Sequence, residues 1–359
     1  MSRKTLLRAG PLWQGGESPY GPIGEPGAVA GLALPAGFRG RVVARSGHKV
    51  AGLTWHAAPD GGACFPDGTG WIYVSNSGLP LVGGASALCF RADGSIGDAY
   101  RILSGTELNR SGGATPWHTW LSCELGHRGR VFECDPYGTR AARPRLDMGR
   151  FKHQAAAGDP DRQVVYLTEG ERDGCFYRFR PGDWGDLTEG RLEVLCASGA
   201  WEPVPSPAAL LKGTRHQVRG ARRFDGGDAC HYAGGVCFFT TRGDGALWAY
   251  DARTSTLDRI AFGGVAGAMA GVVALTSAPS GDLYVARRGG RIDVVTPDRT
   301  VAPFLRLDGP AGLELTGLAF APGGGRLYFS ARRGRTGGDT FEVAGAFRTA
   351  WPGEAASSG

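Results

Sequence analysis

Short apolar runs with an aromatic residue near the centre recur along this chain: GWIYVS around Tyr73, HTWLSC around Trp120, QVVYLT around Tyr166, GVCFFT around Phe238, GDLYVA around Tyr284 and GRLYFS around Tyr328. Gly, Asp and Pro separate them, the pattern of buried strands joined by tight turns. Within one unit, GDLYVARRGGRIDVVTPDRTVAPFL reads as strand, turn, strand, turn, strand, and ALWAYDARTSTLDRI repeats the shape. From anchor to anchor the steps are 47, 46, 72, 46 and 44 residues. A period near 46 is that of four-stranded propeller blades. The reading is therefore all-β: a six-bladed β-propeller with a central channel. A β-sandwich would account for short strands but not for the period.

The long step carries an insertion at about residues 197–220, rich in Pro and polar residues, expected to form a loop or lid over one face. PSPAALLKG inside it is the best helix candidate, and it is short. The whole chain, 1–359, is expected to be one propeller domain, with residues 1–30 as an N-terminal extension and about 350–359 as a flexible tail.

Composition narrows the partners. No run approaches 18 apolar residues, so no spanning helix is expected. The N-terminal MSRKTLLRAGPLWQGG has no apolar stretch suited to export, which predicts a cytoplasmic protein and no membrane partner. The eight cysteines form no CxxC pair, which argues against a zinc knuckle and for buried thiols. A net charge of +6 comes from dispersed residues, nearly all Arg with only four Lys, so no nucleic-acid-binding stripe is expected. Nothing in the residues bears on oligomeric state.

From about Thr54 to Phe347 the chain resembles the PhoX-type alkaline phosphatases and their PhoX-like relatives. The stretches that carry the resemblance include WHAAPDGGACF, GWIYVSNS, TPWHTWLSCE, GRVFECDP, GRFKH, VYLTEG, GCFYRF and ELTGLAFAP. The resemblance implies a six-bladed propeller with iron and calcium ions at its axis, held by one cysteine and many carboxylates. Hard cations need oxygen ligands, and several close together need many negative charges. Cys123 and Glu124 stand at the family's Cys-Glu pair, Glu169 at the Glu of its Thr-Glu-Asp, and Glu314 before Leu-Thr-Gly. Asp228 stands where relatives carry a Glu, and Asn76 and Asn109 also fall in family motifs.

Other expected acids are missing. Gly78, Leu125, Gln154 and Gly170 occupy acidic positions of the pattern, Leu275-Thr276 replaces Asp-Asn, and Arg287 and Arg288 lie near a further one. Cations beside an Arg would cost on the order of several kcal/mol more than beside a carboxylate. The full multi-metal centre is therefore not expected. A single residual calcium or iron on Cys123, Glu124 and Asp228 is the alternative.

Two histidines depart from the pattern: His118, where the family has Gly, and His231, where it has an aromatic. Histidine titrates near neutrality and suits acid–base work. The expected catalytic set is thus His118, His231, Glu169 and Glu314. Asn76, Asn109, Arg223, Arg287 and Trp117 are the expected contacts to an anionic small-molecule substrate. The predicted function is a small-molecule enzyme derived from this family, in a setting such as specialised metabolism, that uses acid–base chemistry without a cofactor. The alternatives are a calcium- or iron-dependent phosphomonoesterase with a reduced site, and a non-catalytic ligand-binding propeller.

Overall fold

All six aromatic anchors fall on the second strand of a separate sheet, and all are buried. In this computed structural model residues 12–27, 29, 31–263, 271–310 and 312–349 are described. The expected tail and the first eleven residues lie outside them. Blade 1 is Pro59–Asp67, Gly70–Ser77, Gly83–Phe90 and Ile96–Thr106; blade 2 is Gly113–Ala114, Trp120–Cys123, Val131–Cys134 and Arg143–Pro144. Blade 3 is His153–Asp159, Val164–Glu169, Phe176–Asp183 and Asp186–Leu195, with Trp201–Pro203 as a fifth strand. Blade 4 is Gly227–Ala233, Val236–Thr241, Ala246–Asp251 and Thr256–Arg259. Blade 5 contains Val272–Ser277, Leu283–Arg287, Arg291–Val295 and Thr300–Leu307. Blade 6 contains Glu314–Phe320, Arg326–Arg333 and Gly337–Ala344.

The fourth strand of blade 6 comes from the other end of the chain. Arg39–Arg45 pairs antiparallel with Gly337–Ala344, Arg39 opposite Ala344, and closes the ring. Closure pairs the edge that Gly337–Ala344 would otherwise leave open and makes Arg39–Arg45 the outer strand of that blade. Part of the N-terminal extension is also built in: Leu12–Gly15 runs parallel to Ala261–Gly263 and to the outer strand of blade 5. Its Trp13 is buried among Phe238, Val272 and Val285.

Aromatic contacts join the blades. Tyr73 and Tyr328 stack at 5.1 Å between blades 1 and 6, and Phe176 and Phe239 at 4.2 Å between blades 3 and 4. Each such pair contributes about 0.5–1.5 kcal/mol beyond the area it buries. The first strand of each blade is an edge of its sheet and lines a channel of about 270 Å³.

The helix candidate is not helical. Residues 205–213 form bends and turns, and among the described residues the only helical segments are short 3-10 turns, Leu146–Met148 and Thr214–His216. Two prolines among nine residues, with no apolar face to bury, leave an α-helix without support. No helix among the described residues is long and apolar enough to cross a membrane.

Candidate functional site

Asp60, Gln154, Asp228 and Glu314 are each the first or second residue of the inner strand of their blade. The shared register brings them to one end of the channel. Three of them are carboxylates, and arginines meet them there. Arg110 and Arg332 each place Nη1 3.0 Å from Asp60 Oδ2. Arg242 contacts Asp228 Oδ2 through Nε at 3.0 Å and Nη2 at 2.9 Å, and approaches Glu314 Oε1 at 3.4 Å through Nη1. Arg288 Nε lies 3.8 Å from the same Glu314 oxygen. Gln154 Nε2 donates to the remaining oxygen of Asp228. Four guanidinium groups thus surround three carboxylates in an arginine collar.

Blade symmetry explains the collar. Arg242 follows the second strand of blade 4, Arg288 follows that of blade 5, and Arg332 is the penultimate residue of that of blade 6. Their spacings, 46 and 44 residues, equal the anchor spacings of the same blades. Burial pushes the Asp228 carboxyl above its usual range, opposed by Arg242 and Gln154, and the Asp228 charge raises Arg242 in turn.

Glu169, at the end of the second strand of blade 3, is fully buried. It accepts hydrogen bonds from Tyr177 Oη at 2.9 Å, the Cys175 amide at 3.0 Å and Arg215 Nη1 at 3.2 Å. Burial still raises its pKa. Arg215 belongs to the insertion and also contacts Asp173 at 2.9 Å. Arg215 thereby adds a charged tie between the insertion and blade 3, beside the strand Trp201–Pro203 that pairs with it.

The missing acids are neighbours. A Cβ on Gly170 would lie 2.7 Å from Leu125 Cδ1 and 3.7 Å from Gln154 Cγ. A Cβ on Gly78 would lie 3.5 Å from Asp60 Oδ2 and 3.6 Å from Arg110 Nη1. Leu125, Gln154 and Gly170 therefore adjoin at the channel end, and the space at Gly78 opens beside a guanidinium.

A family model described as alkaline phosphatase PhoX matches residues 125–202. PhoX from Pseudomonas fluorescens, solved in complex with vanadate, a transition state analogue, superimposes with a TM-score of 0.70 at 16% identity, covering 90% of this chain and 97% of that one. The chain is a six-bladed β-propeller that shares the fold of PhoX and carries the match to its family model over residues 125–202. A gluconolactonase from Xanthomonas campestris shares the fold at 13% identity and a TM-score of 0.54, covering 90% of this chain and 94% of that one. No curated protein sequence matches the chain.

In this propeller the expected metal ligands are dispersed. Cys123 is buried in a cluster with Leu121, Val131 and Phe151, and burial pushes its thiol far up. Glu124 accepts from the amides of Glu107 and Arg130, each at 3.0 Å, and pairs with Arg130 Nε at 3.0 Å. Asp228 is engaged in the collar. Among the described residues no group of three or more His, Cys, Asp or Glu is arranged to hold a metal ion.

Several expected substrate contacts are engaged by other groups of the protein. Asn76 Oδ1 accepts from Trp120 Nε1 at 2.9 Å and Ser122 Oγ at 2.8 Å, while its amide donates to the Arg110 carbonyl. Asn109 Nδ2 donates to Ser122 Oγ at 2.8 Å. These two asparagines fasten blade 1 to blade 2 and hold the backbone of Arg110. Trp117 donates to Glu133 at 2.9 Å and packs edge-on against Trp184. Arg223 is exposed, donating to the Asp173 carbonyl at 3.1 Å.

Arg287, an expected substrate contact, pairs with Asp293 at 2.8 Å within blade 5, and it is Arg288 that reaches the collar. Successive strand residues point to opposite faces, so the one-residue difference decides this. The expected catalytic set is not assembled at one place either. His118 is exposed in the hairpin turn of blade 2 with φ of 63°, a conformation that favours glycine. His231 lies in the channel wall, 2.9 Å from Ser277 Oγ. Glu314 is in the collar, and Glu169 is enclosed by its own partners. The sequence reading missed Asp60, Arg110, Arg242, Arg332 and Ser277. The recurrence of Arg after the second strand in TTRGDG, VARRGG and SARRGR was the signal available for two of them, Arg242 and Arg332.

Proposed function

We propose that this phosphatase-like propeller is an enzyme that binds a small anionic molecule at the arginine collar and acts on it by electrostatic and acid–base catalysis, guanidinium groups having taken the place of a multi-metal centre. The observation that carries the reading is Arg242, set between Asp228 and Glu314. A carboxylate already paired with a guanidinium gains little from a cation, and a cation there would meet the guanidinium's repulsion. The donor set points the same way: the Cys123 thiol faces a hydrophobic core, Glu124 is saturated by its own blade, and Leu125 and Gly170 offer no ligand atoms. The PhoX-type centre does not fit these residues.

Arg242 and Arg288 keep 41% and 47% of their side chains exposed, so donors remain free to take a phosphate or carboxylate. Four positive groups against three carboxylates leave the collar able to accept one more negative charge. Glu314, 18% exposed and held only at 3.4 Å and 3.8 Å, is the carboxylate positioned to move a proton.

Calorimetric titration of chelator-treated protein with inorganic phosphate, sulfate and small carboxylates tests this reading. Saturable binding that withstands chelator and is lost in Arg242→Gln and Arg288→Gln is the expected result. Stoichiometric iron with calcium, together with chelator-sensitive hydrolysis of a phosphate monoester, would overturn it in favour of a reduced phosphomonoesterase.

A further inference from the structure

Ser277 and His231 meet in the channel wall between blades 5 and 4, with Ser277 Oγ and His231 Nε2 2.9 Å apart. His231 is the fifth residue of inner strand Gly227–Ala233, and Ser277 is the last of Val272–Ser277. Both therefore stand toward the end of the channel opposite the collar, whose residues occupy the starts of the same strands. Each keeps partial exposure and lines the channel, so a small molecule entering there meets both.

We propose that Ser277 and His231 are a nucleophile and its base, acting on a small ester that enters the channel. The pairing has the geometry such chemistry needs: a hydroxyl within hydrogen-bond reach of an imidazole nitrogen, in a concave site. In the first step Oγ bonds to the carbonyl carbon and its proton passes to Nε2. The leaving alkoxide then takes that proton as the carbon–oxygen bond breaks. Water repeats the sequence on the acyl-serine and releases the acid and free Ser277, with no oxidant or other co-reactant.

Two further features serve the step. The inner strand of each blade is the edge of its sheet, and an edge strand turns alternate backbone N–H groups away from its ladder, which makes them the candidate donors to an oxyanion. Burial draws the His231 pKa down to about 4, which keeps the imidazole neutral and Nε2 able to accept a proton at neutral pH. A base that weak drives attack only on reactive carbonyls, which favours esters over amides.

A small fluorophosphonate tests the pair without knowledge of the substrate, because the serine oxygen displaces fluoride at phosphorus and the product is read by intact mass and peptide mapping. One phosphonyl group per chain, located on Ser277, is expected. It should be absent in Ser277→Ala and form at least tenfold more slowly in His231→Gln. Lack of any adduct over hours in excess reagent, an adduct on another residue, or an unchanged rate in His231→Gln would overturn the proposal. The mapping on the unaltered protein decides even if a variant fails to fold. Anion binding at Arg242 is measured separately, so either idea can fail without the other.

Discussion

Arg242 grips Asp228 through two nitrogens, Nε at 3.0 Å and Nη2 at 2.9 Å, both on Oδ2. The carboxylate is 2% exposed while the guanidinium is 41% exposed, so a solvent-facing cation compensates a buried anion. Replacing Arg242 by Gln should cost about 1–3 kcal/mol, less than the loss of a fully buried pair because solvent screens the arginine. The cost should depend on pH in a defined direction. The folded-state pKa of Asp228 is raised, so its stability contribution is greatest at low pH and declines as pH rises through the window above the unfolded value of about 3.9. Loss of Arg242 raises that pKa further. Thermal melts at pH 7.5 should show the full deficit, and melts near pH 4.5 a smaller one; a uniform deficit would contradict the pairing.

His118 holds a backbone conformation that costs a non-glycine residue about 1 kcal/mol. Its side chain is exposed and lies outside the channel lining. His118→Gly should leave stability unchanged or raise it by about 0.5–1 kcal/mol, with ligand binding and activity retained. A large loss of activity at unchanged melting temperature would restore His118 as a catalytic group.

Three donors hold the buried Glu169 carboxyl, and Tyr177 Oη is the shortest contact among them at 2.9 Å. Tyr177→Phe removes a hydrogen bond to a buried ionisable group and should cost about 1.5–3 kcal/mol. Arg215→Ala, by contrast, unties the insertion from Glu169 and Asp173. Limited proteolysis should then cut within residues 204–213 several times faster than in the unaltered protein, with the blade strands still protected.

Gln154→Glu exchanges an amide donor for a second acid beside Asp228. Two adjacent buried carboxylates should lower the melting temperature at neutral pH, and acidification should relieve the loss as one of them protonates. Added calcium or iron should not restore the stability, since Leu125 and Gly170 supply no ligand atoms. Full rescue by either metal in a thermal melt would show that a metal site survives.

The strand pattern was legible because burial in a propeller is periodic. Tyr73, Tyr166, Tyr284 and Tyr328 repeat at blade spacing, each blade needing one large buried side chain on its second strand. The candidate site was legible only in part. Asp228 and Glu314 were found through their motifs, yet residues of other motifs in the same resemblance, Asn76 and Cys123, fasten blades and fill the core. Whether Arg287 or Arg288 reaches the axis depends on a single-residue register, and a one-residue slip exchanges the faces of a strand.

The sequence by itself determined the number of blades, the strand that carries each anchor and the spacing of three arginines, because local alternation and turn chemistry act over a few residues. Only the tertiary structure decided which side chains share a site. Asp60, Gln154, Asp228 and Glu314 are separated by scores of residues and meet because the ring closes, through Arg39–Arg45, and sets the starts of the inner strands around one axis. His118, in the hairpin turn of blade 2, and His231, in the channel wall at blade 4, stand apart in the fold, although the family resemblance had grouped them.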